Sequence, residues 1–306
     1  MTIKHHIEIV EVGPRDGLQS EPGILPTATK VEFINRVVAG GARRVEVTSF
    51  VNPKKVPQMA DAEEVMKALP RREGVHYIGL VLNRKGFERA AAAGCNEIVM
   101  GVVASNTFNA CNQGVTTEES IAAWLDIAAA AQQAGIAAQV TVSAAFGCPF
   151  EGEMPVERVV EIVQRVADAH PFEIALADTI GVGVPAQVTE LVSRVREAVP
   201  GIPLRCHFHN TRNTGLANAF AAVQAGVRTL DASLGWLGGC PFAPAATGNI
   251  PTEGLVYRLQ RSGYETGISL DRAIETGKWL QEQLGRPVPG MLVKAGGFPK
   301  PAVHAA

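Results

Sequence analysis

Aromatic side chains are scarce, at 6% of the 306 residues. Alanine and glycine take their place, a balance that fits helices packed closely on a sheet better than a β-sandwich. No block of like charge is present. Lys and Arg total 28 against 30 Asp and Glu, for a net charge of −2, so the basic footprint of a nucleic-acid binder is missing. The five cysteines (Cys95, Cys111, Cys148, Cys206 and Cys240) are odd in number and have no CxxC spacing. That argues against a disulfide framework and points to the reducing cytoplasm. The opening MTIKHHIEIV lacks the cationic segment and long apolar run of a signal peptide. The Ala-rich stretch IAAWLDIAAAAQQAGIAA is interrupted by Asp126, Gln132 and Gln133, so no membrane span is expected.

What is present is a strict alternation. Short apolar segments fall at 7–13, 43–48, 75–81, 96–103, 136–144, 172–177, 203–209 and 228–233. Helical periodicity lies between them, and two further helices follow near 251–261 and 269–284. Runs such as IGLVL and EIVMGVV have the composition of strands buried on both faces. Eight βα units in about 250 residues predict a closed (β/α)₈ TIM barrel with extra C-terminal helices. An open doubly wound sheet fits less well, because the first turn reads GPRDGLQ and not GxGxxG. The expected organisation is one catalytic domain over 1–306. The barrel takes about 7–250, the extra helices about 251–286, and an irregular tail 287–306.

In such a barrel, chemistry gathers at the C-terminal ends of the strands. Arg15 and Asp16 follow the first strand, and Glu46 lies near the end of the second. Asp178 follows the sixth. His207 and His209 end the seventh, spaced to share one strand face. Cys240 and Asn249 lie in the Gly-rich loop after the eighth. Asp16, His207, His209 and Asn249 form a mixed oxygen and nitrogen set that suits Mg²⁺ or Mn²⁺ better than a structural zinc. Each residue alone has a plainer reading: a core histidine, a turn asparagine, an N-cap aspartate, or a local Arg15–Asp16 ion pair. Their shared placement favours the functional one. Lys54 and Lys55, after the second strand, are either solvated charges or phosphate contacts.

Several blocks together resemble the 3-hydroxy-3-methylglutaryl-CoA lyase family of DRE-TIM metallolyases. They are VEVGPRDGLQ, VEVTSFVNPKKVPQMAD, FGCPFEG, ADTIGVG, HFH and LGGCPFAPAATGNIPTEGLVY, spread from about Ile7 to Leu284. The resemblance implies a divalent cation, an acyl-CoA substrate, a homodimer, and cleavage to acetyl-CoA and a keto acid. It makes Asp16, His207, His209 and Asn249 the metal ligands. It has Arg15 oppose the enolate charge, Glu46 orient Arg15, and Asp178 or His207 assist proton transfer. It has Cys240 take part in acid–base chemistry; Ser49, Lys54 and Lys55, after or at the end of the second strand, are candidate contacts for CoA or substrate by position. The chain departs from the pattern around the pocket, with Asn210 for Asp, Trp236 within the loop signature, Thr247 for Ser, and Thr141 for a tyrosine of several members. These departures bear on the acyl group, so a citramalyl-CoA lyase stands as the first rival. A Claisen-type synthase of the same superfamily and a non-catalytic barrel are the others.

Overall fold

A computed structural model describes residues 5–239 and 248–299. Eight parallel strands close into a barrel: β1 (Glu8–Glu11), β2 (Arg44–Ser49), β3 (His76–Val81), β4 (Glu97–Val103), β5 (Ala137–Ser143), β8 (Glu173–Asp178), β9 (Leu204–Phe208) and β10 (Thr229–Ala232). A small antiparallel hairpin, β6 (Gly147–Cys148) with β7 (Gly152–Glu153), follows β5 outside the barrel. Each predicted strand is found, and β1 pairs with both β10 and β2 to complete the ring.

The helices form where pattern and caps agree. In α5 (Thr117–Ala134), Thr116 and Glu119 make the capping box that NQGVTTEES suggests, and Gly135 ends the helix in the left-handed region. The fully buried Trp124 of α5 donates its indole N–H to the Val166 carbonyl at 2.9 Å, which locks α5 to α6 (Val156–Ala167). In α6 the spacing of Val159, Ile162, Val163 and Val166 turns one apolar stripe toward the barrel. A short helix, α4 (Asn106–Asn112), stands over the end of β4 and is not evident in the sequence pattern. No helix among the described residues is long and apolar enough to cross a membrane.

The described part of the C-terminal segment expected as an irregular tail, residues 287–299, carries one short helix. That helix, α11 (Met291–Ala295), follows α9 (Thr252–Arg261) and α10 (Leu270–Leu284). Val288 and Val293 are buried, and Gly277 and Gly235 are the small residues that let them approach.

The barrel interior is unusual in its polarity. Val10, Val12, Ile78 and Val99 form a small apolar cluster. Beside it, Arg44 bonds Glu97, bonds Glu173 at 3.0 Å and reaches Glu8 at 3.0 Å. Gln139 donates to Glu97 and accepts from Arg205, and Arg205 pairs with Asp231 at 2.6 Å. A connected polar plug therefore fills the core below the C-terminal rim of the strands, with Arg205 at its upper edge.

Candidate metal centre and active site

The rim is built outward from β1. After Val12 the chain makes a widened helical turn, Gly13–Gly17, in which the Asp16 and Gly17 N–H groups both donate to the Val12 carbonyl. Wide turns of this type often sit at functional sites. Buried Glu11 holds the turn down. It accepts from the Gly13 N–H at 2.8 Å, the Leu234 N–H at 2.9 Å and the Thr252 hydroxyl at 2.7 Å. Burial pushes the Glu11 carboxyl up to about 7 against those hydrogen bonds. Glu11 thus couples the segment carrying Asp16 to the segment leading into the loop after β10.

Arg15 and Asp16 project from this turn into the barrel mouth. Arg15 donates Nε to Glu46 Oε1 at 2.9 Å and Nη1 to Asp16 Oδ1 at 2.7 Å, and its Nη2 lies 2.8 Å from Glu46 Oε1. Burial would lower the Arg15 pKa, but Glu46 and Asp16 outweigh it and hold the guanidinium charged. Burial also raises the Glu46 pKa, against the pull of Arg15. Three N–H directions of Arg15 are thereby occupied, and the others remain for a ligand.

Asp16, His207 and His209 converge, with one candidate ligand atom from each lying within 4.8 Å of the others. The two imidazoles share the β9 face as the HFH spacing requires, with ring centroids 5.2 Å apart. Asn249 joins them because a single antiparallel bridge pairs it with His209. Its amide nitrogen donates to Asp16 Oδ2 at 2.8 Å and to the Leu237 carbonyl at 3.1 Å. Asn249 Oδ1 and His209 Nδ1 are buried and have no hydrogen-bond partner. Buried lone pairs next to an ionised carboxylate fit cation ligation, and the set has no thiolate. Burial alone would raise Asp16, but Arg15, both histidines and the Asn249 amide hold it at about 2. Burial, with His207 beside it, pushes His209 down to about 3, so it remains neutral and able to ligate.

Sequence reasoning missed the residue behind His207. Asp231, on β10, lies 2.9 Å from His207 Nδ1, and Arg205 clamps its other oxygen. A carboxylate at Nδ1 fixes the ring and leaves Nε2 as the free nitrogen. Burial lowers the His207 pKa, but the Asp231 hydrogen bond and charge outweigh it and raise it. Replacing Asp231 by asparagine is expected to weaken Mn²⁺ binding about 10–100-fold, the usual cost of losing such a partner. Calorimetric titration of Mn²⁺ into the variant checks this, and an unchanged affinity would remove Asp231 from the site.

The carboxylate of Asp178, the residue expected to assist proton transfer, accepts the Val182 and Gly183 N–H groups, each at 2.9 Å. Side chains alternate along β8, so Ala177 and Thr179 face the cavity and Asp178 faces the loop it braces. Ser49 is buried at the end of β2 with no partner for its hydroxyl. Lys54 and Lys55 are exposed, and Lys55 lies on the cavity wall near the mouth. Cys240 and Thr247 lie outside the described residues.

The cavity holds about 960 Å³ and runs from the metal-ligand cluster past Gln19 and Ser20 to the 51–57 loop. That space is ample for a thioester with a long tail.

Comparison with known proteins agrees with this geometry. The HMGL-like family profile matches residues 6–279. The (R)-citramalyl-CoA lyase of Chloroflexus aurantiacus is 44% identical over 300 residues, covering 95% of each chain. The hydroxymethylglutaryl-CoA lyase of Bacillus subtilis is 39% identical over 92% of this chain and 95% of its own. Among solved structures, an HMG-CoA lyase from Acinetobacter baumannii in complex with coenzyme A and 3-methylmalate superposes with a TM-score of 0.94. It is 40% identical and covers 98% of this chain and all of that one. On the barrel, the rim geometry and these relatives together, the chain belongs to the HMGL-like family.

Proposed function

We propose that this protein is a divalent-metal-dependent carbon–carbon lyase that cleaves 3-hydroxy-3-methylglutaryl-CoA into acetyl-CoA and acetoacetate. The observation that carries the reading is one cluster: Asp16, His207 and His209 within ligand distance of one another, with Arg15 bonded to Asp16 and facing the same cavity. Relatives of 39–42% identity that bear the hydroxymethylglutaryl-CoA lyase name support the substrate.

Asp16, His207, His209 and Asn249 would hold the cation, either Mg²⁺ or Mn²⁺. A cation bound there supplies Lewis acidity and makes a substrate hydroxyl easier to deprotonate. The chain's own residues do the rest. Asp231 keeps His207 in one tautomer and orientation. Glu46 fixes Arg15, whose spare N–H groups meet the thioester oxygen as the bond to C3 breaks and enolate charge develops there. The donors are already in place, so little reorganisation accompanies that charge. Asp178 would assist removal of the hydroxyl proton through water in the cavity. The enolate carbon regains a proton from Cys240 or from water.

A second reading is favoured by the 44% identity to a citramalyl-CoA lyase and by Thr141 on the cavity wall. It keeps the site and changes the keto product to pyruvate. Product identification separates the two. The protein is given each acyl-CoA with Mg²⁺ or Mn²⁺. Acetoacetate from the glutaryl compound at the higher kcat/KM is the expected result. Pyruvate from citramalyl-CoA, with little turnover of the other, moves the substrate. Cleavage of neither overturns both readings.

A further inference from the structure

A second buried carboxylate stands behind the rim. Val10 and Val12 of β1 point into the barrel, so Glu11 between them points outward, under the helices. Glu253, the second residue of α9, is also fully buried and lies close enough to repel it. The two acids hold neighbouring backbone groups. Glu11 accepts the Leu234 N–H at 2.9 Å, and Glu253 Oε2 accepts the Gly235 N–H at 3.1 Å. Two residues further on, the Leu237 carbonyl accepts the Asn249 amide at 3.1 Å. A Cβ on Gly238 would come to 2.5 Å from that amide nitrogen, so this backbone and Asn249 are in close contact. Glu11 also holds the Gly13 N–H, at the start of the turn that presents Asp16. The braced backbone therefore fixes Asn249 relative to Asp16, two predicted ligands 233 residues apart in the chain.

The two acids are compensated unequally. Glu11 accepts three hydrogen bonds, from Gly13, Leu234 and Thr252. Glu253 Oε2 has the Gly235 N–H, but Oε1 is buried and has no partner among the described residues. Oε1 is pressed against Gly290, where a Cβ would overlap it, and Gly290 donates to the Gly235 carbonyl at 3.1 Å. No cation bonds either acid among the described residues. Arg36 of α1 (Thr27–Ala39) and Arg272 of α10 line a cavity of about 10 Å³ that reaches Glu11 and Thr252 from the outside. Arg36 lies 2.7 Å from Glu32, and Arg272 donates to the Ala39 carbonyl at 2.9 Å, so both are engaged elsewhere. Arg15 and Asp16 project into the barrel mouth, and Arg44 and Asp231 into its interior. Glu275, Lys278 and Lys294 are exposed. The cavity has room for one water, enough to bring a proton to the pair without crossing the active site. Burial pushes the Glu253 carboxyl up to about 7, against the Gly235 hydrogen bond. With three donors Glu11 is the better home for a charge, and an acid beside a carboxylate keeps its proton.

We infer that Glu253 is a positioning residue for the metal centre, which braces the Leu234–Leu237 backbone together with Glu11 and does so only while it carries a proton. The neutral acid accepts the Gly235 N–H and needs no counter-charge. Once ionised, it is a second negative charge in a site that bonds no cation, and the segment must shift to admit water. The shift reaches the ligand cluster through Leu237 and Asn249. The inference rests on the metal-site reading above.

The test uses two variants of the full chain. Glu253→Gln keeps an oxygen for the Gly235 N–H and cannot ionise, whereas Glu253→Leu removes the acceptor. The melting temperature of the metal-free protein and its Mn²⁺ affinity by calorimetry are read across pH. A carboxyl held above its ordinary value stabilises the fold below that value and loses the contribution as pH rises through about 7. The wild type should therefore melt progressively lower from about pH 5 to about pH 8, and Glu253→Gln more evenly. His207 titrates in both proteins, so the difference between the profiles belongs to Glu253. The Mn²⁺ affinity of Glu253→Gln is expected to match wild type near about pH 6. Near about pH 8.5 it should exceed wild type about tenfold, the effect of one pKa unit. Glu253→Leu should bind Mn²⁺ about 10–100-fold more weakly at both pH values. Parallel profiles in wild type and Glu253→Gln would overturn the role of the proton, and wild-type affinity in Glu253→Leu would overturn the brace. If the leucine variant does not fold, the glutamine comparison decides alone. A wild type that binds no Mn²⁺ overturns the metal-site reading itself, whereas binding with parallel profiles overturns only the role of Glu253.

Discussion

Arg15→Lys is expected to lower kcat about 100–1000-fold, the typical cost of removing one preorganised donor from a developing oxyanion. Lysine keeps the charge, so the local field changes little. It loses the planar fork, and with it the geometry. In this site Nε and Nη2 are held by Glu46 and Nη1 by Asp16, and that grip aims the remaining N–H groups into the cavity. An ammonium group cannot bond Glu46, Asp16 and a substrate oxygen along three fixed directions at once. The measurement is steady-state kcat with saturating Mn²⁺, read beside Mn²⁺ affinity. Wild-type turnover would sink the role of Arg15. A loss of metal affinity in proportion to the loss of rate would show that Arg15 acts only by holding Asp16.

The site was legible where sequence spacing alone fixes direction. His207 and His209 share a face because strand side chains repeat every two residues, and the structure places their rings together. Asp16 was legible by its place just past a strand end. Asp178 illustrates the limit of that argument. The end of a strand locates the Cα, but the direction of the side chain depends on the pleat, and one residue of phase turned Asp178 from the cavity to its own loop. Asp231 was missed because it sits inside an apolar strand and its partner, His207, lies 24 residues away in the chain. The barrel itself was legible from the βα alternation. The C-terminal helix was not, because its formation depends on Val288 and Val293 finding pockets on distant segments.

The polar plug had a signal in the sequence that periodicity counts pass over. Six strands carry a charged or amide residue at or near their start that joins this network: Glu8, Arg44, Glu97, Gln139, Glu173 and Arg205. On strands buried on both faces, such residues have to meet one another inside the barrel. The consequence for function is mechanical. Arg205 belongs both to the plug, through Gln139, and to the metal centre, through Asp231 and then His207. The orientation of a predicted ligand therefore depends on a charge network reaching down to Arg44.

Breaking that network should be costly. Arg44 is 4% exposed and is bonded to Glu97, Glu173 and Glu8, and replacing it by methionine takes the bonded guanidinium from buried Glu97 and leaves buried Glu173 only Arg205, at 3.9 Å. Removing one partner of a buried ion pair typically costs about 3–5 kcal/mol, because the remaining charge stays desolvated. Arg44→Met should accordingly lose about that much in urea unfolding of the metal-free protein, with the m-value unchanged. The same principle predicts partial recovery in Arg44→Met with Glu97→Leu and Glu173→Leu, since apolar replacement of a whole buried ion cluster is often neutral or stabilising. Gln139 would then lose its acceptor on Glu97 while keeping its bond from Arg205, so recovery should stop short of wild type. The triple variant tests the coupling as well as the stability. If it regains stability but binds Mn²⁺ as the wild type does, the plug serves the fold alone. If stability returns and metal affinity does not, the charges below the rim are what hold Arg205, Asp231 and His207 in line.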